Sequence, residues 1–279
     1  MSLHDGLLMA MQHSSASACG SACLAFRFAE MKMIEHAILL SAGQGSRMLP
    51  LTAEQPKCLI DFSGRTLIEW QIEMLARGGV KRIDVVTGFK EDMVEAVLAR
   101  MNDPRVTVTT RFNPFYKVAD NLGSCWIARE AMAGDFLILN GDTLVSEAIV
   151  HRVQAGADWP IAVTIDVKAE YDSDDMKVTR EGERLTRIGK TLTADEANAE
   201  SIGFLAFRSE GATMFREAVR AAMRTPEGVQ HWYLKVIDQL AVTGKVGTVE
   251  IRGMDWAEVD FLTDIEKART LTDLWKNMA

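Results

Sequence analysis

The stretch from Ala37 to Leu59, AILLSAGQGSRMLPLTAEQPKCL, constrains the fold more than any other part of the chain. Ile38-Leu39-Leu40 is apolar without polar alternation, the pattern of a strand buried in a parallel sheet. It stops at a loop of small residues carrying Gly43 and Gly45, where the missing side chains let backbone N–H groups come close to something bulky and anionic. Arg47 sits in the same loop and Lys57 follows Pro56. Two fixed cations therefore flank a glycine-lined cradle. A plain turn has no use for such spacing, and the pattern suits a polyphosphate.

Two common phosphate loops do not match. A Walker A loop needs Gly-Lys followed by Ser or Thr, whereas Gly45 is followed by Ser46 and Arg47. A dinucleotide fingerprint needs a third glycine where Met48 stands, with Pro50 just beyond. What the residues do spell is G-x-G-x-R-M-x-P followed by P-K. This resembles the signature of the nucleotidyltransferases that make sugar nucleotides, and in particular their phosphocholine cytidylyltransferase-like branch. The resemblance runs through nearly everything from Ile34 onward. It implies an α/β fold of the nucleotide-diphospho-sugar transferase type: a Rossmann-like, doubly wound, mixed but mostly parallel sheet with an added β-rich acceptor subdomain.

The periodicity of the chain leads to the same class. Thr66 to Arg77 carries Leu67, Ile68, Ile72 and Leu75 at helical spacing; Lys81 to Thr87 reads as a strand, Glu91 to Arg100 as a helix and Val106 to Arg111 as a strand. Asp120 to Ser124 is expected to cap a helix over Cys125 to Met132. Strand and helix in alternation predict a parallel sheet whose ligands gather beyond the carboxyl ends of the strands. Leu40, Ala42, Gly43, Gly45, Ser46 and Gly88 fall at that edge and are expected against a nucleotide. Asp135 to Asn140 is a further buried strand, and it holds Asp142 out on a rigid arm, a presentation that suits a Mg²⁺ ligand. From Trp159 the character changes, with strands at Ile161 to Val167, Ser201 to Phe207 and Val246 to Ile251 forming a second, mixed half over the sheet edge. Helices are expected over Glu210 to Met223, Val229 to Thr243 and Asp264 to Met278. The domain reading is an extension without chemistry over residues 1–33 and one catalytic domain over 34–279. That domain divides into a nucleotide-binding half (34–157), an acceptor-binding half (158–253) and a terminal piece (254–279).

The resemblance assigns further residues. It sets Asn121 and Ser124 beside the nucleotide, although helix capping explains the same pair equally well. It makes Lys177, in D-D-M-K-V, a lysine brought to the phosphates, where a solvated lysine in a charged turn is the alternative. Glu200 resembles an acceptor-binding acid of E-x-I-G segments. Asp260, closing W-x-E-V-D, becomes the second acidic metal ligand, with helix capping near Phe261 to Thr263 as the other reading. Aromatic rings at Tyr171, Trp232 and Tyr233 are candidates to hold a quaternary ammonium by cation–π contact. The chain departs from the branch at Trp232-Tyr233-Leu234, where relatives often carry an acid after the tyrosine.

These residues define a chemistry. A nucleoside triphosphate carries about four negative charges that shield its α-phosphorus until cations draw them off. With the resemblance, Arg47, Lys57 and Lys177 are expected to be the catalytic cations and Asp142 with Asp260 to hold Mg²⁺. A phosphomonoester acceptor is mostly dianionic at neutral pH, with a second pKa of about 6, so no general base is required. None of the five histidines is placed to act as one: His4, His13 and His36 are expected outside or at the edge of the fold, and His151 on a helix. The expected reaction is in-line attack by a phosphate or phosphonate oxygen on the α-phosphorus, releasing pyrophosphate. CTP as donor, and phosphocholine or an aminoalkyl phosphonate as acceptor, follow from the resemblance. A hexose or polyol 1-phosphate is the alternative acceptor, and a non-catalytic regulatory nucleotide-binding module is the alternative of another class. A formal net charge of −8 over 279 residues argues against a nucleic-acid or anionic-membrane partner held by bulk electrostatics. No apolar run is long enough to span a bilayer. Four cysteines without a disulfide framework, Cys58 and Cys125 among them as packed thiols, point to a reducing cytoplasm. Cys19 and Cys23 lack a second pair for a metal site. A homo-oligomer is compatible with all of this.

Overall fold

A computed structural model describes residues 33–156 and 158–277. The expected N-terminal extension lies outside them except for Met33, as do Cys19, Cys23, His4 and His13. Thirteen strands occur among the described residues: β1 (His36–Leu40), β2 (Asp61–Phe62), β3 (Arg65–Thr66), β4 (Arg82–Thr87), β5 (Thr107–Phe112), β6 (Phe136–Asn140), β7 (Thr143–Val145), β8 (Ile161–Asp166), β9 (Lys177–Glu181), β10 (Arg184–Ile188), β11 (Ala199–Phe207), β12 (Val246–Glu250) and β13 (Trp256–Glu258). Nine of them form one sheet in the order β5-β4-β1-β6-β11-β8-β12-β10-β9.

The first apolar run is β1, and all of its residues are buried. It pairs in parallel with β4 on one side and β6 on the other. Ile38 and Leu40 face one hydrophobic core while Ala37 and Leu39 face a second, which is why this strand is apolar without alternation. Strands β5, β4, β1 and β6 run parallel, so their carboxyl ends share one edge. Beyond β6 the sheet turns antiparallel through β11, which pairs with β6, with β8 and, at its start, with β9. The pairings β11–β8–β12–β10–β9 and back to β11 thus close on themselves, and this ring is the β-rich half. Among the described residues, no helix is long and apolar enough to cross a membrane.

Two helices start elsewhere than expected. The helix placed over Cys125 to Met132 runs Asn121–Ala128, because the Asp120 carboxylate accepts from the Asn121 N–H at 3.0 Å and caps it there. A 3₁₀ turn, Arg129–Ala131, follows. The helix expected from Val229 opens only at Tyr233, with Trp232 extended ahead of it. His36, expected at the edge of the fold, is instead buried in β1 with its Nε2 2.7 Å from Asp84 Oδ2.

A third, smaller core supports the sheet edge. Met48 from the glycine loop, Trp70, Leu144 of β7, Ala257 of β13, Val259 and Trp275 pack together there. β7 and β13 form a two-stranded ribbon in which Glu258 faces Thr143, and the Val259 N–H donates to the Asp142 carbonyl at 2.9 Å.

Candidate active site

After β1 the chain runs through Gly43 to Gly45 and into a 3₁₀ turn, Ser46–Met48. Gly45 has φ +80°, and a Cβ on it would lie 2.7 Å from the Cβ of Lys57. Glycine is therefore what lets the Lys57 stem lie against the loop. The loop is braced by Lys57 N–H to the Gln44 carbonyl at 3.2 Å and by Thr52 Oγ1 to the Gly45 carbonyl at 2.7 Å. A Cβ on Gly43 would meet nothing within 4 Å, so this position opens on the cavity. Gly88 has another use: a Cβ there would lie 2.6 Å from the Ala42 carbonyl oxygen and 2.7 Å from the Tyr116 Cβ. It lets the loop after β4 pack onto the cradle and does not itself face the ligand space.

The charged groups meet beside this loop. Lys57 Nζ donates to Asp142 Oδ2 at 2.9 Å and to Asp260 Oδ1 at 2.8 Å. Arg47 Nη1 donates to Asp260 Oδ2 at 2.8 Å, with its guanidinium 5.4 Å from the centre of the Phe261 ring. A third acid, Glu258, joins them: Asp142, Glu258 and Asp260 each offer a carboxylate oxygen within 4.8 Å of the others. Burial pushes the Lys57 ammonium pKa down, but Asp142 and Asp260 outweigh it and hold it well above the usual lysine range. Burial likewise raises Asp260, while Lys57 and Arg47 bring it below the usual carboxylate range. Glu258 is pushed up to about 8 by protein crowding and by repulsion from Asp142 and Asp260. Because its side chain is open to solvent, the repulsion is the firmer of those causes. Three hard oxygen donors this close fit a divalent cation such as Mg²⁺ or Mn²⁺.

Three adjoining cavities converge on these acids. One of about 240 Å³ runs from Leu40, Ala42 and Gly43 past Lys57, Tyr116, Asn121 and Ser124 to Asp142. A second is lined by Gly43 to Arg47, Tyr116, Lys117 and Asp260. The third, of about 220 Å³, has Asp174, Asp175, Lys190, Glu200, Trp232 and Glu258 on its walls, together with Asp142 and Asp260. Asp142 borders the first and third, Asp260 the second and third.

The remaining sequence candidates divide. Asn121 and Ser124 line the first cavity, and neither caps the helix: Asn121 Oδ1 accepts from the Tyr233 N–H at 2.9 Å and Ser124 Oγ from Asn113 Nδ2 at 3.2 Å. Trp232 is 39% exposed and lines the third cavity, with Lys190 Nζ 5.1 Å from its ring centre. Tyr233 is fully buried, its hydroxyl donating to Asn140 Oδ1 at 3.1 Å and its ring edge-on to Phe215. It is core, not a wall of the acceptor space. Tyr171 is half-buried beside Lys168, whose Nζ is 6.0 Å from its ring centre, and is not among the cavity-lining residues. Lys177 is 4% exposed and donates to the Lys190 carbonyl at 3.4 Å. Its pairing with Glu200 of β11 sets it on the Glu200 face, but its ammonium ends on that carbonyl, and the lysine lining the third cavity is Lys190. Glu200 is buried and bonded to Lys168 Nζ at 2.8 Å; the same ammonium holds Asp175 at 2.8 Å.

Glu258, Lys190 and Lys117 were not expected. Glu258 had a usable signal, since it stands two residues before Asp260 at the end of a β segment, and alternate strand residues share a face. Lys190, a single lysine after a glycine, had none.

Fold and site together define an α/β protein in which a glycine loop, two cations and three clustered acids meet at the carboxyl edge of a parallel sheet. The nucleotidyl transferase family model matches residues 36–175. The chain belongs to that family and is an enzyme of nucleotidyl transfer. It is 25% identical over 255 residues to the CTP:phosphoglutamine cytidylyltransferase of Campylobacter jejuni, covering 83% of this chain and 98% of that one. It is 30% identical over 102 residues to the choline-phosphate cytidylyltransferase of Streptococcus pneumoniae, covering 37% of this chain and 42% of that protein. The inositol-1-phosphate CTP transferase from T. maritima has the same fold, with a TM-score of 0.72 at 19% identity over 87% of this chain and 98% of that one. The resemblance noted from the glycine loop to the cytidylyltransferase branch thus has its counterparts.

Proposed function

We propose that the chain transfers CMP from CTP to a phosphate or phosphonate oxygen of a small acceptor and releases pyrophosphate. The observation that carries this reading is the position of Lys57 between Asp142 and Asp260, where the three cavities meet. The nucleoside fits the first cavity. The β and γ phosphates fit the second, against Arg47, Lys117 and the Gly43–Gly45 backbone. Asp142 and Asp260, with Glu258, would hold Mg²⁺, which when bound supplies charge neutralisation at the α-phosphate.

Chemistry then proceeds by positioning. An acceptor oxygen attacks the α-phosphorus in line, the new P–O bond forms as the bond to the β-phosphate's bridging oxygen breaks, and pyrophosphate leaves with that electron pair. Lys57 faces the α-phosphate. Lys190, on the wall of the third cavity, is the cation for the acceptor's own phosphate, a role we assign to it in place of Lys177. Asp175 and Glu200, which also line that cavity, share one ammonium, Lys168, which leaves a net negative charge there once both are ionised. That balance favours a zwitterionic acceptor, anionic at the reacting end and ammonium at the other, such as phosphocholine or an aminoalkyl phosphonate. CTP is supported by the donor named for relatives of this chain, and a triphosphate donor supports a cytoplasmic location.

The test is pyrophosphate release with Mg²⁺, each of CTP, UTP, GTP and dTTP, and a panel of phosphocholine, aminoethylphosphonate, inositol phosphate and hexose 1-phosphates. CTP with an amino-bearing acceptor is expected to lead. Preference for a hexose 1-phosphate would replace the acceptor assignment, and tight CTP binding without release in any pairing would identify a regulatory module.

A further inference from the structure

Lys57 already holds the two acids that a divalent cation would need. Its ammonium bonds Asp142 Oδ2 and Asp260 Oδ1, and Arg47 takes the other oxygen of Asp260. Both oxygens of Asp260 therefore end on nitrogen. The Lys57 side chain is only 13% exposed, and its stem rests where a Cβ on Gly45 would be. The ammonium is delivered to the acids by packing, and is not a loose surface group that happened upon them. Three carboxylates within 4.8 Å repel one another unless a cation sits among them. An ammonium has donors only, and Mg²⁺ takes carboxylate oxygens at about 2.1 Å, so an ammonium and a cation on the same pair of acids stand close together and repel, and the two compete for them.

We propose that Lys57 is a placeholder for the divalent cation: it keeps Asp142 and Asp260 together in the ligand-free enzyme, is displaced when the cation enters, and is thereby released to the nucleotide's phosphates. The inference rests on the metal assignment above, but its test does not depend on turnover. Lys57 and Asp142 both line the cavity assigned to the nucleoside, so the next anion within reach of Lys57 is the α-phosphate. One residue thus couples the two ligands, because the catalytic ammonium becomes available only when the cation is in place.

The experiment uses the full chain with Mn²⁺ and no nucleotide. Electron paramagnetic resonance titration measures Mn²⁺ affinity in the wild type and in Lys57→Met, and a crystal structure of the Mn²⁺-loaded wild type locates Nζ. The expected result is affinity tighter in Lys57→Met by about tenfold, the scale of an ordinary coupling between sites. In the loaded wild type, Nζ is expected beyond hydrogen-bond range of at least one of Asp142 and Asp260. Lys57→Arg, which keeps the charge, is expected to bind Mn²⁺ no better than the wild type. Equal affinity in wild type and Lys57→Met, failure of both to bind, or Mn²⁺ bound with Nζ still on both acids would each overturn the proposal. If the exchange occurs and no acceptor yields pyrophosphate, the cytidylyl-transfer reading fails alone; turnover without the exchange does the reverse.

Discussion

Each acid of the site answers to a different neighbour. Asp260 is held ionised by Lys57 and Arg47, whereas Glu258 faces two other carboxylates and is harder to ionise. The neutral variants Asp142→Asn and Asp260→Asn are expected to lose about 100- to 1000-fold in kcat, the usual loss when a charge-stabilising group is removed. Both should unfold at nearly the wild-type Tm by calorimetry, since each change also relieves repulsion among the acids; an unfolded variant would mean that these residues are structural. Glu200 gives a pH dependence. Burial pushes it up to about 7 against Lys168, with Asp175 adding to the rise. A carboxyl of raised pKa is ionised only above that value, so KM for an amino-bearing acceptor should fall as pH rises through about 7. Glu200→Gln should flatten this step in KM while leaving the step from the acceptor's own phosphate near pH 6. An unchanged profile would remove Glu200 from acceptor recognition.

Strands β1, β4 and β5 are tied by a charge cluster remote from the chemistry. Asp84 of β4 is 2% exposed and accepts from Arg111 and Thr109 of β5, and its Oδ2 pairs with His36 of β1. Burial raises its pKa, and these donors together with the charge of Arg111 outweigh burial and hold it well below the usual carboxylate range. For a depressed carboxyl, the stabilisation is complete above the unfolded value of about 4 and is lost as pH falls below it. Asp84→Asn should therefore cost about 3 kcal/mol at pH 7 by denaturant titration, with the gap to wild type closing toward pH 2. At the mouth of the helix Tyr233–Ala241, two neighbouring aromatics separate in the same way. Tyr233→Phe loses one hydrogen bond, about 1 kcal/mol of stability, and should leave acceptor KM unchanged. Trp232→Ala should raise acceptor KM and leave stability nearly unchanged; the opposite split would exchange their roles.

The site belongs to no single element, so ligands that bridge its parts should stabilise the whole catalytic domain. Mg²⁺ and CTP, each at 100-fold its Kd, are each expected to add about 2.7 kcal/mol, with EDTA removing the metal's share; a Tm indifferent to both would contradict the site. The same dispersion limited what the residues disclosed one at a time. β1 was legible because a strand buried on both faces must be apolar throughout, and Asp142 because a carboxylate straight after such a strand has one place to go. The place of Lys177 was not legible, because the chain alone does not record that its ammonium ends on the Lys190 carbonyl, a contact made by packing. Trp232 and Tyr233 could not be told apart because adjacent residues at a helix start face different sides, and only the packed core names the side. What the chain alone determined is the parallel edge and its glycine cradle, since both are local consequences of periodicity and missing side chains. What only tertiary structure decided is that Glu258 and Asp260, more than a hundred residues beyond Asp142, meet it across the β7–β13 ribbon with Lys57 between them, because a pairing register brings together charges that no spacing along the chain records.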